Sequence, residues 1–303
     1  MKLGLSRMID PKLLPLVDAT RDFYEERGVG QGPSNWNALQ SIRDGAKPPA
    51  AASPPAIVEF VGLGDRSVSI RIHLPTSTAP TGVFLNIHGG GFYMGSAAAS
   101  DARDRDLADT LGIAVVSVDY RLAPEDPWPA APDDCEATAL WLAEHAATRF
   151  GTTHLAIGGI SAGATLAMTT LVRLRDRGIA AFGAAVLQFG TYDLSGQTPS
   201  GRLIADEYFI EAYAGQAADR THPDISPIYA DVSGLPPVLM IIGADDILLR
   251  DNLAMAAHLS AAGGDADVRV YPAAPHGFTS HVTPMASAAL DDIRTWLADR
   301  LAR

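Results

Sequence analysis

The sequence predicts an α/β protein: a mostly parallel sheet with helices on both faces. Three observations carry that expectation. From Gly82 onward, short apolar strand-like runs alternate with helical stretches, as strand–helix–strand units require. At 303 residues and 47% apolar content, the chain is long enough for one large domain with a complete core. Third, Gly159-Ile160-Ser161-Ala162-Gly163 joins the strand-like string His154–Gly158 to the helical stretch Ala164–Arg175. That pattern reads as a serine on a sharp strand-to-helix turn, where the flanking glycines permit strained angles and close packing.

The elements follow in order. Asp10-Pro11 is a helix start, a capping side chain followed by proline at the first helical position. Leu13, Leu16, Val17, Phe23 and Tyr24 then recur at helical spacing, and a second helix is expected from near Ser34, carrying Trp36, Leu39 and Ile42. Lys47 to Pro55, rich in Pro and Ala, reads as a linker. Strands near Ile57–Val61 and Val68–Leu74, separated by Gly62-Leu63-Gly64-Asp65, suit an antiparallel pair at the sheet edge. Buried-strand runs follow at Gly82–Ile87, Ile113–Val118, Gly183–Phe189 and Pro236–Gly243, and Ala266–Tyr271 alternates like a strand. A helical stretch, Leu203–Tyr213, interrupts this series with Ile204, Tyr208, Phe209 and Tyr213.

A serine hydroxyl is a poor nucleophile at neutral pH and needs an imidazole, itself oriented by a carboxylate. The Pro236–Gly243 run ends in Ala244-Asp245-Asp246, and Ala266–Tyr271 leads through Pro272 and Pro275 into His276-Gly277. Carboxylate and imidazole thus fall on loops directly after strands, at the edge where open parallel sheets place their sites. The residues leave Asp245, Asp246 and Asp251 as rival acids, and His276 and His281 as rival bases. Upstream, Gly82–Ile87 empties into His88-Gly89-Gly90-Gly91, whose bare backbone N–H groups can converge on an oxyanion together with the amide of Ala162. His88 is expected to brace that loop rather than act as the base. Asp193 reads as a turn residue, and Arg121 and Glu125 are expected to pair with each other, holding the loop after Ile113–Val118.

These motifs, with Asp119-Tyr120-Arg121-Leu122-Ala123-Pro124-Glu125 and Trp128-Pro129-Ala130-Ala131, make the chain similar to the hormone-sensitive-lipase-like (H-G-G-G motif) bacterial carboxylesterases of the α/β-hydrolases. The resemblance runs from about Ile57 to the C-terminus. It implies an α/β-hydrolase fold with a mostly parallel eight-stranded sheet and a helical cap. It also implies a triad of Ser161, Asp246 and His276, and oxyanion donors Gly89, Gly90 and Ala162. By the same resemblance, residues 1–50 are N-terminal cap helices, and 51–303 are the catalytic domain with a cap insertion at about 195–225. Trp36, Tyr208, Phe209 and Tyr213 then become candidates for an acyl or alcohol pocket, or else the cap's own small core. Two positions depart from the family pattern: Ile160 stands where an acidic residue is usual, and Ala164 where glycine is usual.

The expected activity is hydrolysis of short- to medium-chain acyl esters through an acyl-enzyme. The alternatives are an amidase or acyltransferase on the same serine, or a non-catalytic binding protein on this scaffold, which a reactive-serine probe separates. A net charge of −12 disfavours nucleic acid and anionic membranes as partners. No metal-ligand spacing or phosphate loop is present, so neither metal nor cofactor is expected. No apolar run reaches spanning length and no signal peptide is evident. One cysteine, Cys135, cannot form an intrachain disulfide, and a cytoplasmic location is the simpler assumption. The resemblance permits a homodimer.

Overall fold

The computed structural model describes residues 8–27, 32–47, 49, 51–64 and 66–301. Parts of the Lys47–Pro55 linker and Asp65 lie outside them. The strands are β1 (Ile57–Leu63), β2 (Arg66–His73), β3 (Val83–Ile87), β4 (Ala114–Asp119), β5 (Leu155–Ile160), β6 (Phe182–Gln188), β7 (Val238–Gly243) and β8 (Ala266–Tyr271). They form one eight-stranded sheet in the order β1-β2-β4-β3-β5-β6-β7-β8. β2 runs antiparallel to both β1 and β4, and every other pairing is parallel. The expected antiparallel pair is therefore at the edge, where β1 leaves Phe60 68% exposed. The inner strands β3, β4, β5 and β7 are apolar nearly throughout because helices cover both faces.

The helices are α1 (Val17–Arg27), α2 (Trp36–Asp44), α3 (Asp101–Leu111), α4 (Ala130–Phe150), α5 (Ala162–Asp176), α6 (Tyr208–Ala214), α7 (Leu249–Ala261) and α8 (Pro284–Leu301). One core joins β-strand side chains to α4 and α5, with Leu142, Leu166 and Met168 among its members. The other packs β-strand side chains against α8, with Ile293, Trp296 and Leu297.

The N-terminal region differs from a simple pair of cap helices. Asp10 caps as expected, accepting from Lys12 N at 2.9 Å, but Pro11–Leu16 forms a 3-10 turn before α1 begins, with Pro15 inside it. Pro15 lacks the N–H that an α-helical ladder would use. Leu13 is buried with α8 in the second core, so this segment braces the body of the fold. The second helix starts at Trp36 with Asn35 as cap, its side chain accepting from Ala38 N at 3.0 Å. The predicted single helix Leu203–Tyr213 is two pieces, a 3-10 turn Gly201–Leu203 and α6.

Candidate active site

β5 delivers Ser161 with φ 55° and ψ −120°, a left-handed backbone that a serine adopts only when its surroundings enforce it. The enforcement is steric. A Cβ on Gly159 would meet the Ile87 carbonyl oxygen at 2.6 Å, and one on Gly163 would run into that same oxygen, so β3 lies directly against the turn. Ser161 N donates to Gln188 O at 2.9 Å, and Ala164 N to Ser161 O at 2.9 Å, fixing the residue between β6 and the first turn of α5. Ala164 is fully buried, so the extra methyl is accommodated.

The loops after β7 and β8 bring in the other two groups. Ala244 N donates to Tyr271 O at 2.8 Å and Asp245 N to Ala274 O at 3.1 Å, zipping the loops together. Ser161 Oγ is 2.9 Å from His276 Nε2, and His276 Nδ1 is 3.0 Å from Asp246 Oδ2. Asp246 is 6% exposed, and its Oδ1 accepts from Leu248 N at 2.8 Å, which holds the carboxylate in place as the acceptor for the imidazole Nδ1. Asp245 is exposed. Asp251 is buried on α7, where its carboxylate accepts from Tyr192 N, and burial pushes its pKa up to about 6. His281 is turned to the N-terminal helix, with Tyr24 Oη 2.9 Å from its Nδ1. Neither of these last two is in the constellation.

Gly89 lies against Ser161: a Cβ there would sit 3.4 Å from the serine Cβ and 2.7 Å from Ile160 O. Gly90 has φ 118° and its carbonyl accepts from Met94 N at 2.8 Å, which turns the glycine run back on itself. The amides of Gly89, Gly90 and Ala162 donate to no acceptor among the described residues, and all three residues line the cavity with Ser161. His88 braces this loop. It is 7% exposed, its Nδ1 donates to Gly89 O at 2.8 Å, and its ring stacks on Tyr120 at 4.1 Å. Burial lowers its pKa, so the ring is held neutral.

Residues 84–280 match the family described as alpha/beta hydrolase fold. The chain belongs to the α/β-hydrolases. Within them it falls in the hormone-sensitive-lipase-like esterase branch. It is 33% identical over 228 residues to carboxylic ester hydrolase LipN of Mycobacterium tuberculosis, covering 70% of this chain and 61% of LipN. It is also 33% identical over 245 residues to ethyl acetate hydrolase of Pseudomonas putida, covering 75% and 77% of the two chains. Among solved structures, the hyperthermophilic esterase of the archaeon Pyrobaculum calidifontis superposes with a TM-score of 0.80 at 26% identity, over 97% of this chain and 99% of that one.

The hydrolase's cavity holds about 490 Å³. Of the pocket candidates, Phe209 lines it, and Tyr208 lines the vestibule outside it with Tyr24. Tyr213 does not: it is 1% exposed and stacks on Phe92 at 4.0 Å, one turn deeper along α6. Trp36 does not either. It packs beside Arg43 on α2, whose guanidinium lies 5.6 Å from its ring.

The expected Arg121–Glu125 pair is not formed. Arg121 grips Asp134 on α4 at 2.8 Å, while Glu125 pairs with Arg43 at 2.6 Å. A bidentate carboxylate on a neighbouring helix is the better partner for a planar guanidinium than an acid four residues away in a loop. Asp193 is a turn residue as read, fully buried and accepting from Ser195 N at 2.8 Å and Thr198 N at 2.9 Å.

Sequence reading missed Phe189. Its φ is 39°, and its ring meets the His276 imidazole edge-on at 5.1 Å, walling the base on one side. Only its place at the end of β6, before Gly190, hinted at such a turn.

Proposed function

We infer that this chain is a serine carboxylesterase working by two-step acyl transfer. The observation that carries the reading is the continuous relay from Ser161 Oγ through His276 to Asp246 at 2.9 and 3.0 Å, set in a cavity on a serine held at φ 55°. Ser161 attacks the ester carbonyl while His276 Nε2 takes its proton. Asp246 holds the ring through Nδ1 and stabilises the imidazolium that forms. The amides of Gly89, Gly90 and Ala162 stabilise the oxyanion, and His276 then protonates the leaving alcohol. Water activated by the same imidazole releases the acid.

A cavity of about 490 Å³ suits short- to medium-chain acyl esters, and the activity named for the Pseudomonas putida relative, ethyl acetate hydrolysis, is consistent with that size. Helices α1 and α2 and the segment at about 195–225 act as the cap, supported by Phe209 on the cavity wall and Tyr24 and Tyr208 at the vestibule. We place the enzyme in the cytoplasm, since its one cysteine, Cys135, is buried and unpaired. Among the described residues no helix is long and apolar enough to cross a membrane. A homodimer belongs to the same reading and is checked by light scattering.

The deciding test is hydrolysis of a p-nitrophenyl ester series from acetate to palmitate, with Ser161→Ala as the paired control. Activity peaking at short chains and reduced about 10⁴-fold or more in the variant is expected. Equal rates in both proteins overturn the reading.

A further inference from the structure

Arg103 is an exposed residue of α3 that lines the cavity shared by Ser161 and His276. Among the described residues its guanidinium makes one hydrogen bond, to Ser280 Oγ at 3.5 Å, and no ion pair. By contrast Arg43, Arg71, Arg121 and Arg173 each hold a carboxylate in this chain of net charge −12.

The acids near it on α3 are engaged elsewhere, Asp106 with Arg294. Asp101 is taken by Arg71 and His73, and Asp104 accepts from Ser117 Oγ at 2.6 Å and Asn86 Nδ2 at 2.8 Å. Burial pushes Asp104 up to about 7, which leaves it only partly charged at neutral pH. The residue before the nucleophile, Ile160, borders both the main cavity and a small cavity of about 80 Å³ behind it, and Arg103 borders the same two. An isoleucine there supplies no charge to neutralise the arginine. The carboxylate that also lines the main cavity, Glu207, stands where the cavity opens to the vestibule, a region Arg103 does not line. Among the described residues the cavity lining thus carries one arginine, Arg103, and one carboxylate, Glu207, and of the two it is Glu207 that borders the vestibule.

We propose that Arg103, with the Ser280 hydroxyl beside it, is an anion subsite of the ester cavity, so that favoured substrates carry a carboxylate at a distance from the scissile bond. The proposal rests on the esterase reading above. A planar guanidinium suits this recognition because it can donate two parallel hydrogen bonds to one carboxylate. Ester hydrolysis itself is unchanged: water adds across the acyl–oxygen bond, and the charged group only orients the substrate.

Two ester pairs locate the anion. Mono-(4-nitrophenyl) adipate against 4-nitrophenyl hexanoate places it on the acyl side, and 4-acetoxybenzoate against phenyl acetate places it on the alcohol side. The readout is the ratio of kcat/KM, anionic over neutral, in wild type, Arg103→Gln and Arg103→Glu. In at least one pair the ratio is expected to fall about tenfold in Arg103→Gln, to fall further in Arg103→Glu, and to shrink in wild type as salt is raised. A ratio unmoved by Arg103→Gln in both pairs overturns the subsite. Each ratio is internal to one preparation, so partial misfolding of a variant does not mimic the effect. Failure of the esterase reading shows separately, as neutral-ester hydrolysis that survives Ser161→Ala.

Discussion

A methyl on Gly163 has nowhere to go, because the carbonyl oxygen of Ile87 already occupies the space. Both atoms belong to rigid elements, the first turn of α5 and the last residue of β3, so neither yields cheaply. Gly163→Ala is expected to lower stability by about 2–4 kcal/mol, the scale of overpacking a close-packed interior. It should also slow labelling by a fluorophosphonate, since relief of the clash moves Ser161 away from His276. Thermal unfolding and labelling rate measured on the same sample check both effects. Ala164, one position on, shows the contrast: the methyl is fully buried where α5 has room for it. Two neighbouring small residues thus carry different constraints: Gly163 abuts the β3 backbone, and Ala164 already holds its methyl in the core.

At the scale of elements, α2 does more than cover the site. Its Arg43 donates to the Tyr93 carbonyl through Nε at 3.0 Å and Nη2 at 2.6 Å, to Ala123 O at 2.7 Å, and to Glu125 at 2.6 Å. Tyr93 lies two residues after the glycine run, so one guanidinium ties the oxyanion loop, the loop after β4 and the N-terminal helix together. Arg43→Ala is expected to lower kcat by about tenfold or more and to destabilise by about 2–3 kcal/mol, because buried carbonyls lose charge-assisted donors. Arg43→Lys should recover little, since an ammonium cannot bond Tyr93 and Ala123 in the geometry of the fork. Steady-state kinetics beside urea unfolding separate the two effects. The segment Leu203–Tyr213 teaches a related lesson: its helical composition is satisfied by two short pieces, because the turn between them follows the wall of the cavity.

At the scale of the whole molecule, folding sets buried carboxyls against the sheet. Asp104 is raised to about 7 and Asp251 to about 6, in both cases chiefly through burial. A carboxyl whose folded pKa exceeds its unfolded value near 3.8 binds more protons in the native state across the window between them. Its contribution to stability is therefore present at low pH and lost as pH rises from about 4 to about 7. Between pH 5 and pH 8, wild type is expected to lose on the order of 1–3 kcal/mol relative to Asp104→Asn, which keeps the shape and carries no charge. Denaturant unfolding of both proteins across that range measures the difference. Parallel slopes would mean that Asp104 ionises freely in the folded protein.

The sequence by itself determined the sheet's composition and the address of each chemical group. Strand-like runs, the G-x-S-x-G turn, the glycine run after Ile87, and the carboxylate and histidine on loops after apolar strands are local patterns, legible because backbone strain and burial restrict which residues fit. It also ranked the rivals only with the help of a resemblance. Tertiary structure decided what depends on long-range proximity. Ser161 and His276 meet across a sequence separation of 115 residues because β5, β6, β7 and β8 lie side by side. The same packing turned Tyr213 inward onto Phe92, sent Arg121 to Asp134 and Glu125 to Arg43, set Phe189 against the imidazole, and left Arg103 without a carboxylate. A side chain's partner is the best-placed group in space, and spacing along the chain fixes that only within a helix or a strand.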